Sequence, residues 1–209
     1  MRTVAQSLMI VLTLLGPLVG SIYFGSGMVL AQNIPSDQAR MTMPNVAPSD
    51  LAELVNGNSA FAFDLYHSLL QEEKNGNLFY SPHSVSLALA MTYAGARGET
   101  ERQMANTLHF TLSQQRLHSA FNNLNIALVS RGKGAQSKDG QGFQLKIANA
   151  IWGQQGYPFL AEFLDTLAEN YGAGPRPVDF SGDPEASRVT INKWVSDQTG
   201  GRVQELVPR

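Results

Sequence analysis

The 209-residue chain contains no cysteine, so no disulfide can staple it and no thiolate can serve as nucleophile or metal ligand. Charge is sparse and balanced, with 15 basic against 17 acidic residues, which excludes a global attraction to nucleic acid or anionic membrane. Histidine is also scarce. His67, His83, His109 and His118 lie far apart, without His-Glu-x-x-His or paired spacing, so no zinc or other metal site is expected. No Gly-x-x-x-x-Gly-Lys-Ser/Thr occurs, no strand-linked Gly-x-Gly-x-x-Gly occurs after the first 31 residues, and no Asn-x-Ser/Thr sequon is present. Nucleotide cofactors and N-glycosylation therefore have no support. Ser81 and His83 stand two apart at a helix start and point in different directions, so they do not make a nucleophile–base pair. The chain reads as a non-enzyme without cofactors.

The longest apolar run is at the start. Arg2 precedes Leu8–Leu15, and Val29-Leu30-Ala31 places small residues where a signal peptidase reads. Residues 1–31 are expected to be a cleaved signal peptide. Glycine, serine and Pro17 interrupt the run below a comfortable spanning length, so no stable membrane association is expected after cleavage. The mature protein would be secreted, extracellular or periplasmic. Residues 32–48, with Pro35, Pro44 and Pro48, read as a flexible linker, and a single domain occupies 49–209.

Helix signals dominate that domain. Asp50 with Glu53, and Thr100 with Gln103, have the spacing of capping boxes. Ser81-Pro82 and Asp183-Pro184 each place a capping side chain before a proline suited to the first helical position. After Pro82, Val85, Leu87, Leu89, Met91 and Tyr93 leave no polar stripe, so that helix is expected to be buried on all sides. Leu117, Phe121, Leu124 and Leu128 mark an amphipathic helix over 113–130. Phe159, Leu160, Phe163, Leu164, Leu167 and Tyr171 mark another, and Val189, Ile191, Trp194 and Val195 a last one ended by Gly200. Leu78-Phe79-Tyr80, the alternation from Phe143, and Val178 with Phe180 read as short strands. The count is seven helices or helical turns and three strands, an α+β pattern.

Several blocks, in order, carry a resemblance: Asn77-Leu-Phe-Tyr-Ser-Pro-His-Ser84, Met91-Thr-Tyr-Ala-Gly-Ala-Arg-Gly-Glu-Thr100, Met104-Ala-Asn-Thr-Leu-His-Phe110, Ile147-Ala-Asn-Ala-Ile-Trp-Gly-Gln154 and Ile191-Asn-Lys-Trp-Val-Ser-Asp-Gln-Thr-Gly-Gly-Arg-Val203. Together they resemble the serpins, the serine-protease-inhibitor superfamily. The resemblance implies the helix-rich N-terminal half of that fold, with strands at 143–154 and 175–180 belonging to its large central sheet and the helix at 184–199 lying across it. It also implies that the remaining strands and the reactive-centre loop lie beyond residue 209, as in a truncated or split gene product.

By the same resemblance the partner is a serine or cysteine protease, trapped when the cleaved loop inserts into the sheet. Ser81, Ser84, Asn149 and Asn192 match positions that hydrogen-bond beneath the sheet and control its opening. A chain without the loop is expected to be inactive alone, or to act as a non-inhibitory partner pairing through its unfinished sheet. It is also expected to expose apolar surface along Trp194, Val195 and the 143–154 strand. Some serpins bind polyanions through the helix equivalent to 113–130. Here only Arg116 and His118 lie on it, and these read as a solvated face. Trp152 and Trp194 sit in apolar periodic segments and read as core residues.

Overall fold

A computed structural model describes residues 12–15, 38–72, 76–131 and 147–209. The chain divides into two compact units. Within the first, helix α1 spans Pro48–Glu72, α2 Pro82–Tyr93, α3 Gly98–Leu108 and α4 Gln114–Arg131. The second contains strands β1 (Leu12–Leu15), β2 (Ala150–Gln154) and β3 (Arg176–Val178), with α5 (Ala161–Tyr171) between β2 and β3 and α6 (Pro184–Thr199) after them. That is six helices among the described residues.

Both cap-then-proline signals hold. Ser81 sits in extended backbone, and its hydroxyl accepts from the Ser84 amide at 3.3 Å. Asp183 accepts from the Ala186 amide at 2.9 Å, with proline following each cap. Both capping boxes fail. Pro48 already opens α1, so Asp50 lies inside the helix, and its carboxylate receives the Arg116 guanidinium of α4, with Nε at 3.0 Å. Glu53 instead accepts from the Thr111 hydroxyl at 2.6 Å. Helix α3 starts at Gly98, two residues before Thr100, and the Gln103 amide donates to Glu99 at 2.8 Å. In each case a partner outside the local turn, or an earlier helix start, took the side chain from its capping role.

No residue of α2 is exposed, as its unbroken apolar pattern requires. Ala88 and Ala90 are fully buried, and their small side chains let neighbouring helices approach closely. The core of this unit is aromatic. Tyr93 meets Phe110 edge-on at 5.4 Å, and Phe110 meets Phe121 edge-on at 5.7 Å. Leu117 and Phe121 of α4 are both fully enclosed. Leu78-Phe79-Tyr80 is not a strand: Phe79 is exposed and no described strand lies alongside, while the Tyr80 hydroxyl donates to the Ala62 carbonyl of α1.

Helix α3 ends at His109 in left-handed backbone, φ 55°, a conformation His tolerates better than branched residues do. This turn brings the His109 carbonyl onto α1 at Gly57, where a Cβ would stand 2.4 Å from that oxygen. Glycine inside a helix ordinarily costs about 0.5–1 kcal/mol relative to alanine. Here the sign should reverse. Gly57→Ala is expected to destabilise the protein by roughly 1–3 kcal/mol, because backbone must move to admit the methyl. A urea midpoint equal to or above wild type would show that the two helices separate freely.

In the second unit the sheet order is β1-β2-β3, all parallel. Trp152 aligns with Arg176 and Gln154 with Val178. β2 begins at Ala150, shorter than the expected 143–154; residues 143–146 lie outside the described residues. β3 stops at Val178 because Asp179 turns the chain, its carboxylate accepting from the Gly182 amide and the Gln154 side chain, both at 2.9 Å. β1 pairs Leu12 with Ala150 through Leu15 with Gly153, so four residues of the expected leader occupy the edge of β2 opposite β3.

Helix α5 starts at Ala161. Leu160 is its N-cap in extended backbone, off the helical stripe and 74% exposed, whereas Phe163 and Leu167 are buried as predicted. Of the apolar surface expected along Trp194, Val195 and β2, Val195, Ala150, Ile151 and Trp152 are buried, while Trp194 is half-buried. The exposed apolar stripe lies instead on α1, at Val55, Phe63, Tyr66 and Leu70.

Candidate functional site

The four residues singled out as a sheet-opening network have different surroundings. Ser81 and Ser84, at the start of α2, are bonded to each other, the Ser81 hydroxyl donating to Ser84 Oγ at 3.0 Å. Asn149 immediately precedes β2. Both polar atoms of its side chain are buried without a hydrogen-bond partner among the described residues. Asn192 faces the segment after α6: its Oδ1 accepts from the Leu206 and Val207 amides, both at 2.9 Å, and its Nδ2 donates to the Val207 carbonyl at 2.9 Å. Only the Ser81–Ser84 pair is joined directly.

A neighbouring hydroxyl of α2 finds its partner inside the protein, as its place on an apolar helix requires. Ser86, fully enclosed on α2, donates to Asn58 Oδ1 of α1 at 2.6 Å. Thr92 Oγ1 and His83 Nε2 on the same helix are buried without partners among the described residues. Ser81, Ser84, Ser86 and Thr92 lie on or at the start of a helix with no polar face, so the sequence calls for internal partners for all four hydroxyls.

Two histidines lie in this apolar surround. His83 approaches Phe121 at 6.4 Å between ring centroids, and burial holds its imidazole below the ordinary histidine range. His118 of α4 is 2% exposed beside Tyr93, and burial, aided by the positive charge of Arg97, pushes its pKa down to about 4. His118 is therefore not on the solvated face expected of it, whereas Arg116 is exposed as expected. His118 follows Leu117 directly on the inward side of α4, and Arg116 is engaged by Asp50, whose carboxyl that bond lowers. A polyanion site on this helix loses His118, and its Arg116 is already paired with Asp50.

The segment after α6 is held by more than Asn192. Arg188 pairs with Glu185 at 2.7 Å and with Glu205 at 3.1 Å, and Thr199 Oγ1 accepts from the Val203 amide at 3.0 Å. Gly200, in left-handed backbone at φ 61°, turns the chain there. The second unit thus combines a small parallel sheet, the helix that follows its last strand, and a short return segment fixed to that helix.

A family model described as Serpin (serine protease inhibitor) matches residues 56–209, nearly three quarters of the chain. The chain belongs to the serpin family. Among curated serpins, leukocyte elastase inhibitor of Bos taurus is 42% identical over 157 residues, 75% of this chain and 39% of that protein. An uncharacterized serpin-like protein of Thermococcus kodakarensis is 36% identical over 178 residues, covering 83% of this chain and 39% of its own length. A crystal structure of maspin superposes with a TM-score of 0.67 over 77% of this chain and 40% of that one; at 24% identity it shows the fold alone. The chain therefore spans about two fifths of the length of these serpins, and the match lies in their helix-rich N-terminal part. The family is one of protease inhibitors rather than of catalysts.

Proposed function

We propose that this chain is the N-terminal portion of an exported serine-protease inhibitor acting by loop insertion. The match of residues 56–209 to the serpin family, with relatives named as elastase inhibitors, carries the reading. In that mechanism a protease serine attacks a bait-loop carbonyl and forms an ester. The freed loop then enters the central sheet as a new strand, and the acylated protease is distorted before water can complete hydrolysis. The β2–β3 pair and α6 supply part of the receiving sheet and its covering helix. Ser81, Ser84, Asn149 and Asn192 are proposed to govern how readily it opens. The leader at 1–31 directs export, with cleavage after Ala31.

By family likeness the bait would follow residue 209, so residues 1–209 alone are proposed to be inactive. An elastase-type serine protease incubated with a version completed after Arg209 by the C-terminal portion of a related serpin should give a one-to-one adduct that survives SDS. The 1–209 chain alone should give none. Cleavage of the completed protein without an adduct would overturn the inhibitory reading, and an adduct with 1–209 alone would overturn the need for the missing loop.

A second reading, a non-inhibitory partner pairing through its sheet, draws support from β1, which shows that the edge of β2 accepts an apolar strand. A stable complex with a separately expressed C-terminal half, lacking any protease adduct, would favour it.

A further inference from the structure

Between α6 and the β2–β3 strands lies an open cleft of about 420 Å³, within the range of small-ligand sites. Its walls are mostly apolar: Trp152 of β2, Pro177 of β3, and Val189 and Trp194 of α6. The two indoles meet edge to face at 6.0 Å. The Arg176 guanidinium lies over both, 5.1 Å from the Trp194 ring centre and 5.8 Å from that of Trp152.

The charges of this cleft do not cancel. Lys193 is paired with Asp197 at 2.9 Å, which consumes the one carboxylate in the wall. The Thr190 hydroxyl is spent on the Ala186 carbonyl. Arg176 makes no ion pair and no hydrogen bond among the described residues; its contacts are the two ring faces. A guanidinium stacked on indole keeps its edge N–H groups available, and these recognise a carboxylate as a planar fork.

We propose that this cleft binds a small amphipathic carboxylate, its anionic head on Arg176 and its alkyl or aryl body against Trp194, Val189 and Pro177. The occupant is a monoanion because one uncompensated cation faces an otherwise apolar or neutralised wall. The cleft lies between the strands and the helix of the proposed receiving sheet, but the inhibitory chemistry itself needs no small ligand.

The chain has only two tryptophans and both line this cleft, so intrinsic fluorescence reports on it directly. Decanoate, titrated below its micelle concentration into the purified full chain, should change the emission saturably. Decanol, of equal length but uncharged, should bind about tenfold or more weakly, the factor expected for one lost charge-assisted contact. Arg176→Gln should erase that preference. Because Arg176 also packs on the indoles, a second variant guards against misfolding: Val189→Glu, at a half-exposed position, adds a like charge to the wall and should weaken decanoate while leaving decanol unchanged. Equal binding of acid and alcohol would overturn the proposal by showing a merely greasy surface. So would the absence of a saturable change, or a Val189→Glu protein that binds decanoate as wild type does.

Discussion

Asn192→Ala is expected to lower the stability of the protein by roughly 2–3 kcal/mol, a large loss for one hydrogen-bonding side chain. That side chain satisfies two amides and one carbonyl of Leu206 and Val207, and it is itself only 7% exposed. Alanine would leave those three backbone groups to find water at a half-covered surface, which is why the loss falls short of three full desolvation penalties. Asn192→Asp should lie between, since it keeps the acceptors and loses the donor to Val207. Urea denaturation reads the midpoint, and amide exchange at Leu206 and Val207 reads the segment itself. Both amides should lose protection first. An unchanged midpoint with retained protection would mean that Arg188 and Thr199 hold the segment without Asn192.

The second large effect is on acid stability. His118 has a folded pKa pushed down to about 4, whereas an unfolded histidine titrates near 6.5. A group whose folded pKa is depressed favours the fold above its unfolded value and loses that contribution as pH falls. Stability should therefore be flat above about pH 6.5 and decline toward pH 4, by an amount on the order of 3 kcal/mol. His83, also lowered by burial, acts in the same direction. Carboxylates lowered by their partners, such as Asp50 and Glu185, add losses toward the acid end of this range and below it. Comparison with His118→Gln isolates the imidazole: the two pH profiles should converge near pH 4 and separate above pH 6. Parallel profiles across that range would contradict a buried neutral His118.

What could be read from the sequence was local. Ser81-Pro82 and Asp183-Pro184 marked their helix starts because cap and proline act within one turn. The burial of α2 followed from its unbroken apolar pattern. What could not be read depended on distant partners. Asp50 and Glu53 look like a capping box until Arg116 and Thr111 arrive from sixty or so residues away. His118 looks solvated if charges are merely counted. It is buried because Leu117 and Phe121 orient that side of α4 inward. The stacking of Arg176 on two indoles had no sequence signal at all, since strand register and the placement of α6 create it.

The family resemblance was legible because its blocks are long and ordered, and it carried fold and general function together. Of the four residues that the resemblance implied to bond one another, Ser81 and Ser84 do so. Nothing in the sequence indicated that Asn192 would bind the segment following its own helix, since that contact spans fourteen and fifteen residues through a turn at Gly200.

The central claim is that the sheet containing β2 and β3 gains a strand when the bait is cut. Thermal unfolding of the completed inhibitor, before and after limited proteolysis of its loop, tests this directly. A new strand adds backbone pairing and buried apolar surface, so the cleaved form should unfold at a markedly higher temperature than the intact one. A cleaved form that melts at or below the intact protein would contradict loop insertion, and with it the inhibitory mechanism proposed for this chain.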